Sequence, residues 1–172
     1  LKRILCLERS FNMEETTKLI EVKIGALIMD PNTNTPIVVL KSLDSETVLP
    51  IWVGAFEANA IAIEIEKIVP QRPMSHDLMR NLVIECGLHA TAVVVTDLAA
   101  NTFYARIEFI DKKGDKVLLD ARPSDAIALA LRLDCPIFVD QKVIDLSAAS
   151  GVGGETPEGD TPPPEDWPEL IG

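Results

Sequence analysis

The apolar residues of this chain run through the same change of period twice, three strand-like segments and then helix, and few folds accommodate that order. Lys18 to Met29 alternates and is rich in Ile and Val, and Asp30-Pro31-Asn32-Thr33-Asn34 is a strong turn. Strands are predicted at Ile37 to Leu40 and, after Asp44-Ser45-Glu46, at Val48 to Val53. Ala55 to Val69 fits two periods. Ile61, Ile63 and Ile65 alternate, yet Ala58, Ile61, Ala62, Ile65, Ile68 and Val69 form one helical stripe opposite Glu57, Glu64 and Lys67. Length and alanine content favour helix. Ser75 to Cys86 reads as a second helix, with Leu78, Leu82 and Val83 inward and Gly87 as its stop.

Strands then recur at Ala90 to Thr96, Phe103 to Ile110 and Val117 to Asp120, the last two joined by the turn Lys112-Lys113-Gly114-Asp115. An Ala/Leu helix at Asp125 to Leu133, a short strand at Pro136 to Val139 and a helix from Gln141 to Ala148 complete the pattern. Asn59-Ala60-Ile61-Ala62-Ile63 aligns with Asp125-Ala126-Ile127-Ala128-Leu129 at an offset of 66, whereas a shift of two residues pairs Glu57 with Asp125. The alternating alanines do not decide between the two. The expectation is an α+β fold of two layers, a mixed and mostly antiparallel sheet packed with helices, built from a duplicated unit of three strands plus helices.

With 172 residues, 47% of them hydrophobic, the chain is sized for one well-buried domain, expected over residues 18–150. Residues 151–172 hold six acids, no base and five prolines, which reads as a disordered acidic tail. Residues 1–17 read as a flexible extension, and Met13-Glu14-Glu15-Thr16-Thr17 resembles a natural start. Of the net charge of −11, taking away the tail and the first twelve residues leaves −7 on the body. An electrostatic footprint for duplex DNA is absent from those totals, so nucleic-acid contact would have to be local or bridged by metal. No run approaches the roughly 20 apolar residues that span a bilayer, and a cytoplasmic protein without membrane contact is expected. Cys6, Cys86 and Cys135 are widely spaced without a Cys-x-x-Cys, and the apolar company of the last two predicts buried free thiols.

Two arginine-proline turns stand out against this frame. Arg72-Pro73-Met74-Ser75-His76-Asp77 and Arg122-Pro123-Ser124-Asp125 each gather a cation, a hydroxyl and a carboxylate just before a helix. Proline, a capping serine and an early acid all suit a helix start. A cation there is disfavoured unless it meets an anion, so each Arg either pairs with a carboxylate or awaits an anionic ligand. Both turns are expected to meet in one cleft.

At these residues the chain resembles the bifunctional nuclease domain family of bacteria, archaea and plants. The matching stretches are Leu49-Pro50-Ile51-Trp52-Val53-Gly54, Glu57-Ala58-Asn59-Ala60-Ile61-Ala62, Arg72 to Leu78 and Asp120 to Ala130, within a region from about Lys18 to Ala148. The resemblance implies a two-layer α+β fold and, for plant-type members, cleavage of both RNA and DNA. Roles for individual residues follow from their chemistry instead.

Phosphodiester hydrolysis needs a base for the attacking water, an acid for the leaving oxygen and positive charge on the phosphorane. His76, Asp77, Arg122 and Asp125 can supply these roles, with Arg72 and Ser124 as substrate contacts. Each also has a structural reading: a local hydrogen bond for His76, helix-start electrostatics for the acids, internal ion pairs for the arginines, and a capping hydroxyl for Ser124. His89, alternating within a strand, reads as exposed and idle. Asp77 and Asp125, with Glu57 and Asp120 as weaker additions, can hold Mg²⁺ or Mn²⁺; no organic cofactor is expected. Trp52 and Phe56, flanking Gly54, suit either base stacking or packing.

Two readings follow. One is a nuclease of low sequence specificity acting on single-stranded or flexible nucleic acid. The other is a non-catalytic regulatory module that binds a small anion, nucleotide or protein partner in the same cleft. Strand edges with few lysines predict a homo-oligomer, most simply a two-fold dimer.

Overall fold

The computed structural model describes residues 18–149; the expectations for the N-terminal extension and the acidic tail lie outside them. Seven strands form one mixed sheet. In chain order they are β1 (Leu19–Met29), β2 (Pro36–Ser42), β3 (Val48–Trp52), β4 (His89–Ala99), β5 (Thr102–Ile110), β6 (Lys116–Ala121) and β7 (Ile137–Asp140). The helices are α1 (Ala55–Ile65), α2 (Ser75–Glu85), α3 (Pro123–Leu133) and α4 (Gln141–Ala149). Across the sheet the order is β3-β2-β1-β7-β4-β5-β6. Two antiparallel meanders thus flank β7, which runs antiparallel to β1 and parallel to β4. The expected α+β architecture is present.

The two halves share a layout, a meander followed by an eleven-residue helix. Helices α1 and α3 begin 68 residues apart, at Ala55 and Pro123, which is the register that pairs Glu57 with Asp125. This likeness of layout does not by itself establish a duplication.

The core lies between the sheet and α3. Ala126, Ile127 and Ala128 of that helix are fully buried, against Val93 and Val95 of β4 and Ile107 and Phe109 of β5. Small residues on α3 let it sit close to the strands, and α1 and α2 pack against it in turn. Helix α1 ends earlier than its apolar stripe suggests. Lys67 adopts a left-handed backbone, φ 55°, and the Ile68 amide bonds back to the Ile63 carbonyl, so Ile68 and Val69 leave the stripe and are exposed. Gly87, φ 71°, closes α2 as expected.

Two expectations about α2 are overturned. Leu78 and Leu82 do not point inward; they are 65% and 62% exposed, and only Val83 reaches the core. Cys86 is likewise exposed rather than buried, while burial pushes the half-buried Cys135 thiol up to about 11. The reason is position, because α2 rests on α3 rather than on the sheet and buries no residue fully.

What holds α2 is polar. Arg132, in the last turn of α3, has a side chain only 2% exposed. Its Nε donates to Asp77 Oδ1 of α2 at 2.7 Å, and its Nη1 donates to the carbonyls of Ala60 in α1 and Ala128 in α3, at 3.0 and 2.9 Å. Arg80 of α2 returns a bond to the Arg132 carbonyl at 2.9 Å. One guanidinium therefore ties three helices together.

Burial pushes the Asp77 carboxyl upward, but the hydrogen bonds from Arg132 and the Met74 amide, with the Arg132 charge, outweigh it and hold the carboxyl below its ordinary range. A carboxylate lowered in this way contributes stability that is complete above its unfolded pKa and is lost as pH falls through the folded one. Removing Asp77 strands a buried cation. Asp77→Ala is expected to lower the unfolding free energy by about 3 kcal/mol at neutral pH, with the gap to the wild type closing below about pH 4. Urea melts across pH check both statements. In the same assay Ile127→Ala should cost about 2–5 kcal/mol and Leu82→Ala less than about 1 kcal/mol.

Candidate functional site

Three helix N-termini each carry an acid three residues after the cap. The caps are Gly54, Met74 and Arg122, and the acids are Glu57, Asp77 and Asp125. The positive end of each helix favours a carboxylate there. Two of the three converge. Arg122 grips Asp125 with both arms of its fork, Nε to Oδ2 at 2.7 Å and Nη2 to Oδ1 at 3.1 Å, and its Nη2 also meets Glu57 Oε1 at 3.0 Å. His76 completes the group: its Nε2 lies 3.4 Å from Asp125 Oδ1, with the imidazole 13% exposed.

The two arginine-proline turns therefore meet, through His76 of the first and Asp125 of the second. Backbone conformation supports the contact. Arg122 has an extended backbone, φ −68° and ψ 145°, and Pro123 opens α3, so the arginine stands at the junction of β6 and the helix and its side chain can fold back over the first turn. Gly54 makes room for the other carboxylate, since a Cβ there would collide with Glu57 Oε2. The bonds to Asp125, followed by those to Glu57, raise the Arg122 pKa further.

Other expected members are elsewhere. Asp77 turns away to Arg132 and to the Met74 amide, 2.8 Å from its Oδ2. Asp120 pairs in register with Arg106 on β5, on the face opposite the buried Ile107, and does not join the cluster. Arg72 is exposed and makes no hydrogen bond or ion pair among the described residues. Ser124 caps nothing: the cap is Arg122, and Ser124 is buried in the wall of a groove. His89 is exposed, as expected, and remote from the cluster in the sheet.

That groove, about 550 Å³, opens beside Arg122, the charged residue of its lining. Ile51, Trp52 and Gly54 form one side, Asn101, Thr102 and Phe103 another. Asn101 lies in the β4–β5 turn, where it and Ala100 have positive φ, and Thr102 and Phe103 open β5; sequence reading gave these three no functional role. Trp52 is held by an indole bond to Asp30 at 3.2 Å, and Phe56, next to Glu57, is 89% exposed. Arg132 was the other residue missed. Its signal was available, a cation between Leu131 and Leu133 in a helix that is otherwise apolar from Ala126 onward, which must find a partner if buried.

The cluster's arrangement suits acid-base work on a phosphate ester: an imidazole oriented by a carboxylate, with a guanidinium alongside. Its charge is −1 with His76 neutral, counting Glu57, Asp125 and Arg122. Among the described residues no three His, Cys, Asp or Glu side chains gather as a ready metal shell. No helix of the described residues is long and apolar enough to cross a membrane.

Comparison with known proteins agrees with the motifs. An uncharacterized protein of Mycobacterium tuberculosis is 38% identical over 124 residues, covering 72% of this chain and 73% of the relative. Bifunctional nuclease 2 of Oryza sativa subsp. japonica is 31% identical over 108 residues, 60% of this chain and 33% of the relative. Bifunctional nuclease 1 of Arabidopsis thaliana is 30% identical over 110 residues, again a third of that protein at 34%. The sequence model of the bifunctional nuclease domain matches residues 38–150, a span that holds Glu57, His76, Arg122 and Asp125, and this chain belongs to the bifunctional nuclease domain family.

Proposed function

We propose that this protein is a nuclease of low sequence specificity that cleaves single-stranded or flexible RNA or DNA at the Glu57/His76/Arg122/Asp125 cluster. The observation that carries the reading is the convergence of His76 and Asp125, from helix starts 49 residues apart, on Arg122, which also lines a groove of about 550 Å³. Asp125 orients the imidazole. His76 moves a proton at the attacking or leaving oxygen, and Arg122 turns from its carboxylates onto the phosphate. Phe56 offers a face on which a base stacks, a contact that discriminates poorly between sequences. Arg72, unpaired near the start of α2, extends the contact to the nucleic-acid backbone.

The cluster's charge favours a divalent-ion requirement, because a phosphate entering a site of −1 on a body of −7 is repelled. Glu57 and Asp125 would hold Mg²⁺ or Mn²⁺ with phosphate and water completing the shell, and the ion would supply positive charge and a more acidic water. The competing reading, a non-catalytic module for a small anion or nucleotide, rests on the same acidity.

Incubation of the purified chain with labelled single-stranded RNA and DNA, with Mg²⁺, Mn²⁺ or chelator, separates the two. Cleavage is expected with metal and lost in chelator. His76→Gln should lower turnover by about 10²–10⁴-fold, and Asp125→Asn should lower it with the fold intact by circular dichroism. Phe56→Ala should weaken substrate binding by about tenfold or more. Absence of wild-type cleavage under every metal condition would leave the binding module; unchanged cleavage in His76→Gln would remove this site.

A further inference from the structure

The sheet has two edges, and they are guarded differently. β3 is short, five residues, and carries Pro50, which removes a backbone donor. β6 has neither bulge nor proline, and among the described residues no strand pairs with its outer side. Its sequence is Lys116-Val117-Leu118-Leu119-Asp120-Ala121, and the three apolar residues at its centre are 37%, 58% and 53% exposed. Val117 and Leu119 stand opposite Phe109 and Ile107 of β5, which are buried. They therefore continue the core face of the sheet past the point where this chain covers it.

The strand is also complementary to itself. An antiparallel pair of β6 strands centred on Leu118 sets Leu118 opposite Leu118, Val117 opposite Leu119, and Lys116 opposite Asp120, the last twice over. Opposite charges then meet at both ends of an apolar centre, and a shift of register by two residues breaks both pairs. The turn between β5 and β6 brings Lys112 against Gly87 at the end of α2, so the exposed Leu78 and Leu82 belong to a helix that ends beside this same edge.

We propose that β6 is the interface between two copies of this chain, paired antiparallel about a two-fold axis at Leu118, so that two seven-stranded sheets join into one. The proposal is independent of the nuclease reading. It places the two Arg122 clusters at opposite ends of the shared strand pair, about 26 Å apart at 3.3 Å per residue.

Light scattering of the full chain at micromolar concentration should give twice the chain mass. Lys116→Asp and Asp120→Lys, each alone, set like charges opposite one another and should weaken dimerisation by about tenfold or more, while the two together restore the opposite pairs and the dimer. Leu118→Cys, in a background with Cys6 and Cys86 replaced by serine, should cross-link to its own copy under copper-phenanthroline, because residues facing across an antiparallel pair lie within disulfide reach. Val117→Cys, which faces Leu119, should cross-link far less. A wild-type monomer, a dimer indifferent to the single charge changes, or equal cross-linking at positions 117 and 118 would each overturn the proposal. A dimer that Leu78→Lys abolishes while the charge variants leave it intact would move the interface to α2.

Discussion

A single buried guanidinium governs how the helical layer is assembled. Helix α2 buries none of its residues fully and touches no strand extensively, so apolar packing alone holds it weakly. Arg132 supplies what packing does not, by joining Asp77 of α2 to carbonyls of α1 and α3. His76 is the residue next to Asp77. The bond that anchors the carboxylate therefore also fixes where the imidazole stands relative to Asp125, and the geometry of the candidate site is inherited from an ion pair outside it. Such a pair is costly to desolvate, and its value here is positional: hydrogen bonds with defined directions set the rotation of α2 in a way that exposed leucines could not.

This division of labour explains which parts of the molecule were legible in the sequence. Strand alternation, the Asp30-Pro31 and Lys113-Gly114 turns and the Gly87 stop are local signals, and the elements they delimit are where they were expected. The inward face of α2 was not local. Leu78 and Leu82 obey helical periodicity, but periodicity shows only that a stripe exists, not whether a partner covers it. Asp77 and Asp125 look equivalent in their motifs and differ in the fold because Arg132, 55 residues after Asp77, claims one of them. That contact leaves no local trace. Asp120 was misplaced for a simpler reason: one residue along a strand is the difference between two faces of a sheet.

Under the proposed function, the charge balance of the site matters more than that of the whole acidic chain. Three helix starts each present a carboxylate, yet one is neutralised by Arg132 and the other two share Arg122. The arrangement keeps the guanidinium straight-jacketed between anions, although its side chain remains 66% exposed. An incoming phosphate competes with those carboxylates for the same donors. Binding of this kind would depend on the local balance of charge rather than on the total.

The position of β7 has a consequence for how the chain can be made. Among the described residues the last strand in sequence is the central one in space, hydrogen-bonded to β1 on one side and β4 on the other. Until residues 137–140 have left the ribosome, the two meanders have no strand to join them, and each presents a second open edge. Closure of the sheet therefore requires nearly all of the described chain, and without β7 the facing edges of β1 and β4, rich in valine and isoleucine, have no strand between them. Shielding those edges during synthesis is a burden that a sheet ordered as its sequence runs would not impose.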